Sequence, residues 1–154
     1  ARLGDVELSA DKGAYFGSIL GTLNHIAVAD CIWLHRFARH RDGFATLGTM
    51  SGIPRPTSLR QSLAPDLASL LAVRRRIDDL ITRWVAELTA LHLASNLAYA
   101  NLAGVQCTKS LGALLQHFFN HQTHHRGQVS TLLFQSGVDV GTTDLLYLVQ
   151  DVDA

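Results

Sequence analysis

The chain has 154 residues, 47% of them hydrophobic and 17% charged, with 13 Lys plus Arg against 13 Asp plus Glu and a formal net charge of zero. That is enough chain for one domain, residues 1–154, able to bury about 68 to 70% of its unfolded surface, and too apolar for disorder. The balanced charge leaves no positive field for a phosphate backbone, so nucleic acid is excluded as the expected partner.

From Phe16 to about Arg39 the sequence runs through Phe16, Ile19, Leu20, Leu23, Ile26, Ala27, Ile32, Trp33, Leu34 and Phe37. Apolar residues around most of the circumference predict a buried helix. Asp42-Gly43 ends it, and Gly48, Gly52, Pro54 and Pro56 mark a loop. Pro65-Asp66 suits the opening of a second helix, because proline is tolerated in a first turn and aspartate favours its positive end. Leu67, Leu70, Leu71, Ile77, Leu80, Ile81, Trp84 and Leu88 form its apolar seam. On that helix Arg74-Arg75-Arg76, with Asp78, Asp79 and Arg83 following, reads as a solvated, self-compensated face.

Between Thr89 and Cys107 the helical period is lost, and an irregular crossover with an extended piece over Leu97–Val105 is expected. A third long helix starts near Ser110 and stops by Gly137, and Asp144–Val149 suits a short final helix. Three long helices predict an all-α bundle, but three close the common four-helix form badly. The chain opens at Ala1 without methionine, so a further helix is expected ahead of it. Cys31 and Cys107 form no metal-binding spacing, no apolar run reaches the roughly 18 residues of a membrane span, and no signal pattern opens the chain. A reduced, cytoplasmic setting, with no membrane, is the expectation.

The chemistry concentrates in the third long helix. Four of the eight histidines, His117, His121, His124 and His125, fall within nine residues. Residues three and four apart share a helix face, so Leu111, Leu114, Phe118, His121, His125, Gln128 and Leu132 trace one side, flanked by Leu115, Val129 and Leu133. Polar residues in the middle of a buried seam must find partners, at a cost of roughly 1 to 3 kcal/mol each if they do not. A metal ion satisfies both imidazoles at once. A catalytic metal usually takes a third protein ligand and leaves a position open, and His25, buried on the first long helix, is the natural candidate. His35, His40 and His92 are expected at the surface. His124 remains an alternative to His125, and His117 a reserve ligand or pocket residue.

Leu23-Asn24-His25-Ile26 with Ala29-Asp30 and Trp33-Leu34, joined to His117-Phe118-Phe119-Asn120-His121-Gln122-Thr123-His124-His125-Arg126-Gly127-Gln128, resembles the DinB family of bacterial metal-binding bundles. The resemblance covers most of the chain. It implies an up-down-up-down four-helix bundle whose first helix is missing or truncated here, with His25, His121 and His125 as metal ligands. By their own chemistry, Gln128 is placed to bond a ligand imidazole or a metal-bound water, Arg126 to pair with Asp30 or another acid or to reach solvent, and Gly127 either allows close helix approach or is simply tolerated in the helix.

Three neutral imidazoles accept several divalent ions, with zinc or nickel expected. The resemblance extends to bacillithiol transferases and mycothiol-dependent isomerases. It thereby implies a metal-dependent enzyme that activates a low-molecular-weight thiol for transfer or isomerisation of a small-molecule substrate. The alternatives are hydrolysis by a metal-bound hydroxide, for which no Glu lies near the ligands in sequence, and a non-enzymatic metal-binding or stress protein without a substrate-sized cavity. The apolar flanks offer a face on which two copies could pair as a homodimer.

Overall fold

A computed structural model describes residues 2–152 of the chain. Three long helices dominate: α2 (Ile19–Phe37), α4 (Leu67–Val85) and α6 (Leu111–Gln135). Short helices α1 (Asp5–Ser9), α3 (Ala45–Gly48) and α5 (Ala90–Leu93) punctuate the connections, and a 3-10 turn spans Leu145–Leu148.

The start of each long helix follows from a capping side chain. Ser18 accepts from the Gly21 amide, Asp66 from Ser69 and Ser110 from Ala113, each satisfying an amide that has no partner inside its helix. At the other end of α6, Gly137 takes a positive φ of 78°, which glycine adopts without steric cost. Helix α2 is buried on almost every side and packs on both α4 and α6. Its Ile19, Val28, Cys31, Leu34 and Phe37 are wholly or almost wholly removed from solvent. Phe37, Trp84 and Phe118 bring the three long helices together, with Phe37 stacked on Trp84 at 4.8 Å and edge-on to Phe118 at 5.7 Å.

The region expected to be an irregular crossover is a hairpin. Strands β1 (Asn96–Ala100) and β2 (Gln106–Ser110) pair antiparallel with Tyr99 opposite Cys107. The Asn101 side chain accepts the amides of Ala103 at 2.9 Å and Val105 at 3.0 Å, and Gly104 supplies a φ of 80°, so local turn chemistry closes the hairpin. The expectation of an all-α, up-down-up-down four-helix bundle is therefore corrected. The described residues form six α-helices, three of them long, and a two-stranded antiparallel sheet. Helical periodicity identified the long helices, but it says nothing of where a short alternating segment pairs. Leu97 and Tyr99 point inward on alternate positions of β1 and are buried, so the sheet belongs to the core and not to a loose connection.

The second helix departs from its predicted seam at Leu67 and Leu71, which are exposed, while Leu70, Ile77, Leu80, Ile81 and Trp84 are buried. No helix of the described residues is long and apolar enough to cross a membrane.

Candidate metal centre

Helix α2 carries His25 and α6 carries His121 and His125, so packing α2 on α6 brings the three imidazoles together. The Nε2 atoms of His25 and His121 are 3.3 Å apart, and those of His125 and His121 are 3.1 Å apart. All three ligand atoms lie within 4.8 Å of one another. His25 and His125 are buried and His121 is half-buried.

Their outer nitrogens settle the tautomers. His25 Nδ1 lies 3.0 Å from the Leu59 carbonyl, which can only accept, so Nδ1 carries the proton and Nε2 presents a lone pair. His125 Nδ1 lies 2.8 Å from Gln128 Oε1 and must donate for the same reason. Two lone pairs thus converge on His121 Nε2, and one proton there could satisfy only one of them. A cation satisfies all three. Metal–nitrogen bonds of about 2.0 to 2.1 Å at a tetrahedral centre set the donors about 3.3 to 3.4 Å apart, close to the observed spacing. The donor set fits a divalent ion, with Leu59 and Gln128 as the outer partners that orient two of the ligands.

Burial keeps the cluster neutral, as metal ligation requires. Desolvation lowers the pKa of His25, His121 and His125 from the ordinary imidazole value. His121 falls furthest, to about 4, because burial is reinforced by the neighbouring imidazoles His125, His25, His117 and His124.

Phe16 stacks on His25 with ring centroids 3.8 Å apart and meets His125 edge-on at 5.6 Å. It sits in the turn before α2, where a Cβ at Gly21 would overlap its carbonyl oxygen. Glycine at 21 is thus what lets this turn fold against the helix. Phe16, expected at the head of the buried helix, lies in the turn before Ile19, and helical spacing could not foresee a contact made from a turn.

The remaining histidines divide. His117 and His124 are exposed. The His117 ring lies 5.8 Å from His121 and 5.4 Å from Trp33, and His124 Nε2 is 3.1 Å from Gln128 Nε2. His40, expected at the surface, is buried. It donates to the Ser95 hydroxyl at 2.8 Å and stacks on Phe44. The hydroxyl passes its own proton to the His92 carbonyl. His35 is half-buried, with Nε2 at 2.9 Å from the Pro54 carbonyl, and His92 is half-buried in the cap of α5.

Behind the cluster a polar network ties α2, α4 and α6. Asp30 is 1% exposed and pairs with Arg74, accepting also from Gln122 at 3.0 Å. Arg74 reaches Asp78 as well. The guanidinium of half-buried Arg74 is therefore a cross-link between helices rather than part of a solvated face. Arg126 lies against Gln122 and Thr123 and does not meet Asp30. Gly127 faces open space, with nothing near a built Cβ, so close helix approach is not its role.

The three histidines open into a cleft of about 720 Å³. Phe16, Leu59, Trp33 and Arg36 line it, together with the hairpin turn at 101–103. Among the described residues no Asp or Glu lines it. Cys31 is buried and its thiol is pushed up to about 12, chiefly by desolvation, so it offers no nucleophile here.

A family model described as DinB family matches residues 1–151. No curated protein and no solved structure matches the chain significantly.

Proposed function

The chain belongs to the DinB family, and from that premise we propose that it is a metal-dependent enzyme that activates a low-molecular-weight thiol, acting as a thiol S-transferase or a thiol-dependent isomerase. His25, His121 and His125 would hold the ion through Nε2, and zinc or nickel suits three neutral imidazoles with positions left open. A bound ion supplies a Lewis acid that lowers the pKa of a coordinated thiol at neutral pH.

The observation that carries this reading is the opening of the cluster into a cleft of about 720 Å³ that no carboxylate of the described residues lines. A protein that only stores metal needs no space of that size beside the ion. A hydrolase needs a base to take up the proton of its water, whereas a thiol of pKa near 8.5 can ionise without one when a cation is beside it. Phe16, Leu59 and Trp33 give the cleft apolar lining beside the three histidines, and the Leu59 carbonyl and Gln128 hold the His25 and His125 rings in register.

Hydrolysis stands as the second reading because His117, exposed in the cleft and one turn from His121, could carry a proton. Metal-loaded protein incubated with glutathione, bacillithiol or mycothiol and an electrophile, and separately with an activated ester, tests both. Thiol-dependent adduct formation supports the proposal. Turnover of the ester without thiol favours hydrolysis, and no turnover in any mixture refutes an enzymatic role with these substrates.

A further inference from the structure

His25, Ala29, Ile32 and Arg36 follow one another along α2 at intervals of four, three and four, and all line the cleft. They form a single stripe. Arg36 is half-buried, and its guanidinium carbon lies 4.7 Å from the Trp33 ring centroid and 4.9 Å from that of Tyr99. These two faces hold it in place. It makes no ion pair among the described residues, in contrast to Arg74, which has two carboxylate partners. Desolvation lowers the Arg36 pKa, and only Tyr99 and Cys107 pull the other way, with no carboxylate contributing.

Arg60 also stacks on aromatic rings, those of Tyr15 and Phe16, but it is exposed and stands outside this cleft. Arg36 is therefore the cation that the cleft presents to its contents. A guanidinium fork with free donors matches a planar carboxylate.

We propose that the cleft binds a carboxylate-bearing thiol lengthwise, with sulfur at the three-histidine centre and carboxylate on Arg36. This inference rests on the thiol reading above and adds the substrate class and a specificity-determining residue. Eleven residues of helix rise about 16 Å, and the Arg36 side chain leans back toward the N-terminus of α2, leaving a span on the order of 10 Å to bridge. A tripeptide-sized thiol reaches; a three-carbon mercaptoacid does not.

The test uses the nickel-loaded protein and the thiolate-to-metal charge-transfer absorption. Glutathione, its diethyl ester and 3-mercaptopropionate are titrated into the wild type, Arg36→Gln and Arg36→Lys. Glutathione is expected to half-saturate the wild type at a concentration about tenfold or more below its diethyl ester, the scale of one charge-assisted contact. Arg36→Gln removes that preference, Arg36→Lys restores part of it, and 3-mercaptopropionate binds all three proteins alike. Equal affinity for acid and ester in the wild type, or an undiminished preference in folded, nickel-loaded Arg36→Gln, overturns the carboxylate assignment while leaving the thiol reading intact. A missing charge-transfer band with every thiol overturns both. If Arg36→Gln does not fold, the wild-type comparison of acid with ester still decides.

Discussion

His25 and His121 stand ninety-six residues apart in the chain, yet their Nε2 atoms face each other across 3.3 Å. A single proton on His121 Nε2 cannot account for this approach and for His125 Nε2 at 3.1 Å as well. Replacing His25, His121 or His125 by Ala should each lower bound metal from about one ion per chain to a minor fraction, since a two-ligand remnant no longer fills a catalytic site. His117→Ala and His124→Ala should retain it. Elemental analysis after gel filtration checks this, and full retention in all three ligand variants would falsify the assignment.

Gln128 should matter to metal affinity without touching the ion. Its Oε1 accepts from His125 Nδ1 at 2.8 Å, and loss of such an outer contact typically weakens metal binding by about 10 to 100-fold. Gln128→Leu is expected in that range by competition with a chromophoric chelator. An unchanged affinity would leave the orientation of His125 to packing by Phe16 alone.

Two glycines of opposite surroundings should respond oppositely to alanine. Gly127 faces open space on α6, so Gly127→Ala should stabilise the protein by about 0.5 to 1 kcal/mol through helix propensity. Gly21→Ala drives a methyl into the Phe16 carbonyl oxygen and should destabilise by about 1 to 3 kcal/mol, and it should also weaken metal binding, because Phe16 lies on His25. Urea denaturation of the metal-free proteins measures both signs.

The pairing of buried Asp30 with half-buried Arg74 predicts a larger effect. Burial pushes the Asp30 carboxyl above its ordinary value, against the pull of Arg74 and Gln122. Burial also works against the Arg74 charge, but Asp30 and Asp78 outweigh it and raise its pKa. Arg74→Met strands the carboxylate among α2, α4 and α6 and should cost about 3 kcal/mol or more. A loss below about 1 kcal/mol in chemical denaturation would mean that Gln122 alone suffices for Asp30.

Acid should unfold the metal-free protein through its histidines. Burial lowers the pKa of His25, His35, His40, His121 and His125 from 6.5. The folded state then binds fewer protons than the unfolded one, so stability rises with pH. The contribution is complete above about 6.5 and declines as pH falls toward the folded values, with His121 the last to titrate at about 4. Denaturation midpoints compared between pH 7.5 and 4.5 should fall on acidification, and a flat or rising profile contradicts the buried neutral histidines.

The long helices and the histidine pair on α6 were legible along the chain because both depend on spacing. Apolar residues at helical intervals mark a buried face, and His121 and His125 at a four-residue interval share a side whatever else the chain does. The caps Asp66 and Ser110 and the stop at Gly137 were legible for the same local reason. His25 could be chosen for its apolar surroundings, but only the packing of α2 on α6 turns it toward His121. What local pattern could not supply is every relationship that crosses elements. Asp30 takes Arg74 rather than Arg126, His40 is buried by Phe44 and Ser95, Phe16 covers His25 from a turn, and the hairpin brings Tyr99 against Arg36 and its turn to the cleft. Spacing along one helix determines which side chains stand together on a face. Which faces meet, and therefore which groups lose water and which charges find partners, is decided only when the elements pack.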